Sequence, residues 1–249
     1  MTAAARRLLP ALLPNLRDAG GLATPTGRIV RTGRLLRSSA LVALDGSTAA
    51  AVTGLFGAGT YVDLRVDAEL ERDGEPDALV AHGWRWHRIP LQDRLPGESD
   101  EPADVLRRYR RALVRYLDIA GEVAGLPGGA PVIVGCTLGK DRTGLVTAIL
   151  LHRLGVHRTA ILEDFAYTDV CLRRSRHLLP PAWRDPVRKI TPVSPPVLDA
   201  VLDEIPDSTP LPAEKVFSPD TVRPSGADRA AAARRTIGGA CNGTQHIRQ

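Results

Sequence analysis

Pro131-Val132-Ile133-Val134-Gly135-Cys136-Thr137-Leu138-Gly139-Lys140-Asp141-Arg142-Thr143-Gly144 is the stretch on which the reading of this chain turns. Pro131 to Val134 is a short continuous apolar run of the kind buried in a parallel sheet. Leu145 to Leu154, beyond the polar loop, reads as an apolar helix. Strand, polar loop and helix in that order make the setting an anion-binding loop needs, because the helix start offers free N–H groups and the positive end of its dipole. Five residues separate Cys136 from Arg142. A loop of that length curls around an anion with its N–H groups inward, and the Arg142 guanidinium closes the ring with a bidentate contact. The same positive environment stabilises a thiolate at Cys136, the form in which a cysteine is a nucleophile.

Working outward, Thr60 to Leu64 and Trp84 to Pro90 read as short strands, and Gly27 to Leu36 as a hairpin or a turn with a flanking strand. Leu41 to Phe56, rich in Ala and Leu, reads as a helix that ends near Gly57. From Pro102 to Ala120 the apolar residues Val105, Leu106, Tyr109, Leu113, Tyr116, Leu117 and Ala120 recur every three or four positions, with charged residues on the other face. This is the clearest amphipathic helix of the chain. Thr159 to about Leu172 reads as another helix, and Pro196 to Ile205 as a short one. After Ile205 the composition shifts to Pro, Gly and small or charged residues, so residues 1–205 form the expected domain and 206–249 a loosely ordered tail.

The formal charge is +5, and only Lys140, Lys189 and Lys215 are lysines, so arginine carries the basic side. That balance suits an anionic substrate. Arginines are spread along the chain and aromatics are 4% of it, so no basic patch interleaved with stacking residues marks a nucleic-acid binder. No apolar run approaches the roughly 20 residues of a membrane span. The start, Arg6-Arg7 before Leu8 to Leu13, only faintly resembles a signal peptide, since Pro10 and Pro14 break it. Cys136, Cys171 and Cys241 are odd in number and far apart, which indicates neither a disulfide framework nor a zinc site. Reduced thiols in the cytoplasm are expected, with no metal and no cofactor.

The loop Cys136-Thr137-Leu138-Gly139-Lys140-Asp141-Arg142-Thr143-Gly144 resembles the phosphate-binding loop of protein tyrosine and dual-specificity phosphatases. It is most similar to that of the bacterial family typified by secreted mycobacterial tyrosine phosphatases, whose loop also has Lys-Asp before Arg. Asn15-Leu16-Arg17-Asp18-Ala19-Gly20-Gly21 resembles the family's N-terminal motif, and Gly33-Arg34-Leu35-Leu36-Arg37-Ser38-Ser39 its Gly-Arg-Leu-x-Arg-Ser strand. Val62-Asp63-Leu64-Arg65 and Glu163-Asp164-Phe165 match two further segments in the right order. The resemblance implies an α/β, three-layer cysteine-phosphatase fold with a central, mostly parallel sheet flanked by helices. It implies hydrolysis of phosphate monoesters through a phosphocysteine, with Thr137, Leu138, Gly139, Lys140, Asp141, Arg142 and Thr143 around the phosphate. Thr143 is placed to hydrogen-bond the sulfur as it leaves. Relatives usually carry His immediately before the cysteine, where this chain has Gly135, so one aid to ionising the thiol is missing.

The leaving oxygen also needs a proton. Asp93, after Ile89-Pro90-Leu91-Gln92, lies where the family places an acidic loop residue, and Asp141 inside the loop is the second candidate. Lys140 adds charge toward a further phosphate or acidic group. The expected substrate is a phosphorylated protein, or else a phosphorylated metabolite such as a nucleotide, sugar phosphate or inositol phosphate. A phosphate-binding module of low activity is the third reading, motivated by Gly135. Asp63 with Arg65 is expected to brace the sheet end, and Arg17 with Asp18 to form a structural pair. His82, His87 and His152 have no ligand spacing.

Overall fold

The computed structural model describes residues 12–42, 44–179 and 192–206, and the backbone of 222–224. The leading segment, Cys241 and nearly all of the tail lie outside the described residues. Five strands, β1 (Arg17–Asp18), β3 (Leu35–Ser39), β4 (Thr60–Asp63), β5 (Arg85–Arg88) and β6 (Val132–Cys136), build one sheet in the order β1-β3-β6-β4-β5. Only β1 runs antiparallel to its neighbour, so the sheet is mostly parallel, with β6 at its centre.

Alternation along β6 assigns the layers. Val132, Val134 and Cys136 join one apolar cluster, and Ile133 joins another. The first is closed by the helices α4 (Pro102–Ala124), α5 (Asp141–Arg153), α6 (Arg158–Arg174) and α7 (Pro195–Leu202), through Tyr116, Ile149, Phe165 and Leu198. Tyr61 and Ile133 face the second, with Val52 of α1 (Gly46–Phe56) and Leu79 of α3 (Asp77–Ala81). Helices therefore cover both faces, the three-layer α/β arrangement that the resemblance implies. Parallel strands need this double cover, which is why β6 is apolar on both sides.

Several element boundaries differ from the sequence reading. Helix α1 starts at Gly46 rather than Leu41, because the Asp45 carboxylate accepts from the Thr48 N–H at 2.7 Å and caps it there. Leu41 is instead buried in the second cluster. Of the two readings of Gly27–Leu36, the turn with a flanking strand holds and the hairpin does not: β2 (Arg28–Val30) pairs with β7 (Val222–Pro224), and β3 pairs with β1 and β6. Helix α4 runs on to Ala124, and α5 begins at Asp141, inside the loop. A short helix, α2 (Asp67–Asp73), went unread, and it bears on the site.

Candidate active site

The parallel register brings the C-terminal ends of β3, β4 and β6 to one edge, and the loop rises from it at Cys136. Loops beyond the carboxyl ends of strands are where open α/β sheets bind ligands. Cys136 is buried, 3% exposed. The turn at Gly139 has a φ of 65°, and a Cβ there would lie 2.3 Å from the Ser38 carbonyl oxygen, so only glycine fits. Asn15 Nδ2 donates to the carbonyls of Leu138 and Gly139, both at 2.9 Å, and Arg37 Nη2 to that of Gly139 at 2.8 Å. Holding these carbonyls on the outside of the loop turns its amides toward the inside.

The brace beneath the loop is ionic and buried. Arg17 Nε lies 3.0 Å from Asp164 Oδ1, and Arg37 Nη1 lies 2.9 Å from Asp164 Oδ2. Arg17 also donates to Thr168 Oγ1 at 2.8 Å. Burial, helped by the neighbouring Arg17, lowers the Arg37 guanidinium to about 10. Asp18 turns elsewhere and accepts from the N–H groups of Gly20 and Gly33, so the expected Arg17–Asp18 pair gives way to Arg17–Asp164. Asp63 and Arg65 do pair, at 2.7 Å, both fully buried at the end of β4.

Arg142 is not empty-handed. Its Nη1 and Nη2 donate to the two carboxylate oxygens of Glu69, on α2, at 2.6 and 2.5 Å. The Thr137 hydroxyl donates to the same carboxylate, and the Val66 N–H to Glu69 Oε2 at 3.0 Å. Burial opposes ionisation of Glu69, yet the Arg142 hydrogen bonds win and hold its carboxyl at about 2. The fork thus engages Glu69 through its outer nitrogens, while Nε lies 4.0 Å from Asp93 Oδ1. Glu69 escaped the sequence reading because a lone Glu in an acidic stretch has no local signature; its role comes from where Leu64 to Val66 turn the chain.

Asp93 and Asp141 share one cavity of about 310 Å³ with Arg142, Glu69 and Arg108. Tyr116 donates to Asp93 Oδ2 at 2.7 Å, and Tyr109 to Asp141 Oδ1 at 3.0 Å, so α4 fixes both carboxyls with phenols from its buried face. Arg108 Nε lies 3.8 Å from Asp93, and its Nη2 3.8 Å from Asp141. Burial raises the Asp93 carboxyl above the ordinary aspartate value, partly offset by Tyr116 and Arg142. Lys140 is buried, with Nζ 3.9 Å from Asp141. The Thr143 hydroxyl is buried without a hydrogen-bond partner among the described residues. An anion cradle, a buried thiol at its start and a carboxyl whose burial favours its protonated form, within 4.0 Å of the closing guanidinium, can together carry out nucleophilic displacement at phosphorus. Among the described residues no cluster fit to hold a metal occurs, and no helix is long and apolar enough to cross a membrane.

A family model described as the tyrosine phosphatase family matches residues 11–209. A protein of Cupriavidus necator that bears the name of a tyrosine-protein phosphatase is 33% identical, over 61% of this chain and 59% of its own. The triple specificity protein phosphatase PtpB of Mycobacterium tuberculosis is 30% identical, over 61% of this chain and 65% of its own. The chain therefore spans 59% and 65% of the lengths of these curated relatives. Among solved structures, P. aeruginosa TpbA in complex with phosphotyrosine matches 68% of this chain and 94% of its own, at 19% identity and a TM-score of 0.33.

Proposed function

Because the chain belongs to the tyrosine phosphatase family, we propose that it hydrolyses phosphate monoesters through a phosphocysteine formed on Cys136. The observation that carries this reading is the loop itself: Cys136 ends the central strand, Arg142 lies in the first turn of α5, and Asp93 sits 4.0 Å from the guanidinium. In the first step the Cys136 thiolate attacks phosphorus, the ester P–O bond breaks, and the leaving oxygen takes the proton of Asp93. In the second, Asp93 as carboxylate takes a proton from water, the water oxygen bonds phosphorus, and the P–S bond breaks. Loop amides from Thr137 to Thr143 and the Nε edge of Arg142 carry the charge of the equatorial oxygens. Asp141 has the second claim to the acid role, but it lies against Tyr109 and Arg108 rather than Arg142.

The substrate we propose is a phosphorylated protein, with phosphotyrosine as the first candidate; PtpB, by name, has triple specificity. Residues 1–205 are assigned to the catalytic unit, a span close to the family match. A thiol nucleophile works only when reduced, which favours a reducing compartment such as the cytoplasm. Turnover of a panel of phosphotyrosine, phosphoserine and phosphothreonine peptides beside sugar and inositol phosphates tests the substrate. Peptides turned over fastest support a protein substrate; metabolites turned over alone overturn it, and no turnover of either overturns the enzyme.

A further inference from the structure

Gly135 precedes the nucleophile, and the structure gives a reason for the missing side chain. A Cβ at Gly135 would stand 2.8 Å from Tyr61 Cε2 and 2.9 Å from the Tyr61 hydroxyl, closer than real Cβ contacts. Tyr61 lies opposite Ile133 on the neighbouring strand, so Gly135 is its diagonal neighbour, within reach of an aromatic side chain. The ring is fully buried in the second cluster; its O–H finds no acceptor at hydrogen-bond distance among the described residues, while the Leu41 backbone N–H faces its oxygen. A buried donor with nothing to bond is expensive, by about 1–3 kcal/mol, so a phenol is a poor choice if it serves only to fill space. A Phe would fill the same volume with no donor to satisfy, giving up only the contact of the oxygen with the Leu41 N–H. Burial raises Tyr61 well above the ordinary phenol value, so its O–H stays neutral throughout the working range.

We propose that Tyr61 is a positioning residue for the nucleophile: its phenol occupies the space above Gly135 and supports the peptide leading into Cys136, with its O–H directed toward the charge that develops at the loop. Tyr61 and Gly135 then form a coupled pair, a large side chain on one strand matched to none on the next. The proposal rests on Cys136 being the nucleophile. It accounts for a chain that retains Cys136, Arg142 and Thr143 while lacking a side chain just before them.

Two measurements on the full chain test it. The first is the rate of iodoacetamide alkylation of Cys136 from mildly acidic to mildly alkaline pH, in the native protein and in Tyr61→Phe. The charged groups around the loop, Arg142, Glu69, Asp93, Asp141 and Lys140, stay in place in that variant, and so does the ring. Tyr61→Phe is expected to slow alkylation about tenfold on the acidic side, a displacement of the curve by about one unit, with melting temperature unchanged or raised. A Tyr61→Phe curve that superimposes on the native one overturns the part given to the O–H. The second is a double-mutant cycle with Gly135→Ala and Tyr61→Val, read as melting temperature. Gly135→Ala is expected to destabilise the native background far more than the Tyr61→Val background. Strictly additive losses overturn the coupled pair. Alkylation needs no turnover, so a protein that hydrolyses none of the panel substrates would refute the proposed activity without deciding the role of Tyr61.

Discussion

The Asp93 carboxyl has two features that an acid catalyst needs: burial that favours its protonated form, and a place beside Arg142. Asp93→Asn is expected to lower kcat by roughly 10²- to 10⁴-fold on substrates with poor leaving groups and much less on activated aryl phosphates. Equal losses on both kinds, measured in parallel, would move the role to Asp141. The pH dependence follows from the sign of the shift. Because Asp93 is raised in the folded protein, acid catalysis persists to higher pH than for a free aspartate and fades as pH climbs through its value. The native state then holds a proton that the unfolded chain has lost, so this group's contribution to stability also falls over that window. Glu69 has the opposite sign. Held at about 2 against 4.5 for a free glutamate, it adds stability above that free value, and this is lost as pH falls toward 2. Glu69→Gln keeps the shape but gives up the charge on the outer fork of Arg142. The expected effect is about tenfold in kcat/KM, chiefly in KM, as the guanidinium loses its fixed orientation. Unchanged kinetics would show that the loop holds Arg142 without α2.

Among the elements, strand β1, strand β3 and helix α6 converge on Asp164, and through Arg37 they carry the loop. One carboxylate with 6% side-chain exposure faces two buried guanidinium groups. Asp164→Asn leaves both cations uncompensated and is expected to destabilise the fold by about 3–5 kcal/mol, the range for breaking a buried pair from one side. Denaturant titration measures it, and a loss below about 1 kcal/mol would mean that water reaches the pair. These contacts explain how far the sequence was legible. Central strand, loop and α5 were readable because period, spacing and residue type all agree there. Asn15, Arg17, Arg37 and Asp164 were visible as motif letters, but their joint task under the loop depends on contacts more than 100 residues apart in the chain. Helices α2 and α3 were missed because seven- and five-residue helices show too little periodicity to register. Gly135 was read as a deficit; with Tyr61 in place it is a steric requirement, and Gly135→His cannot enter unless Tyr61 yields.

For the whole molecule, the sheet's central strand delivers the thiol, the helical layer on one face supplies Tyr109, Tyr116 and α5, helix α2 supplies Glu69 and the loop after β5 supplies Asp93. The site is therefore assembled from chain segments across residues 15–168, and it should be lost as a unit when the domain opens. The central claim is that the phosphoryl group passes through the Cys136 sulfur. Its most direct test is rapid acid quench of the full chain during turnover of a substrate carrying radiolabelled phosphate, followed by mapping of the label. Label should be found on the peptide containing Cys136, and Cys136→Ser should bind vanadate but neither trap label nor turn over. Turnover with no label on Cys136, or undiminished turnover by Cys136→Ser, is incompatible with a phosphocysteine.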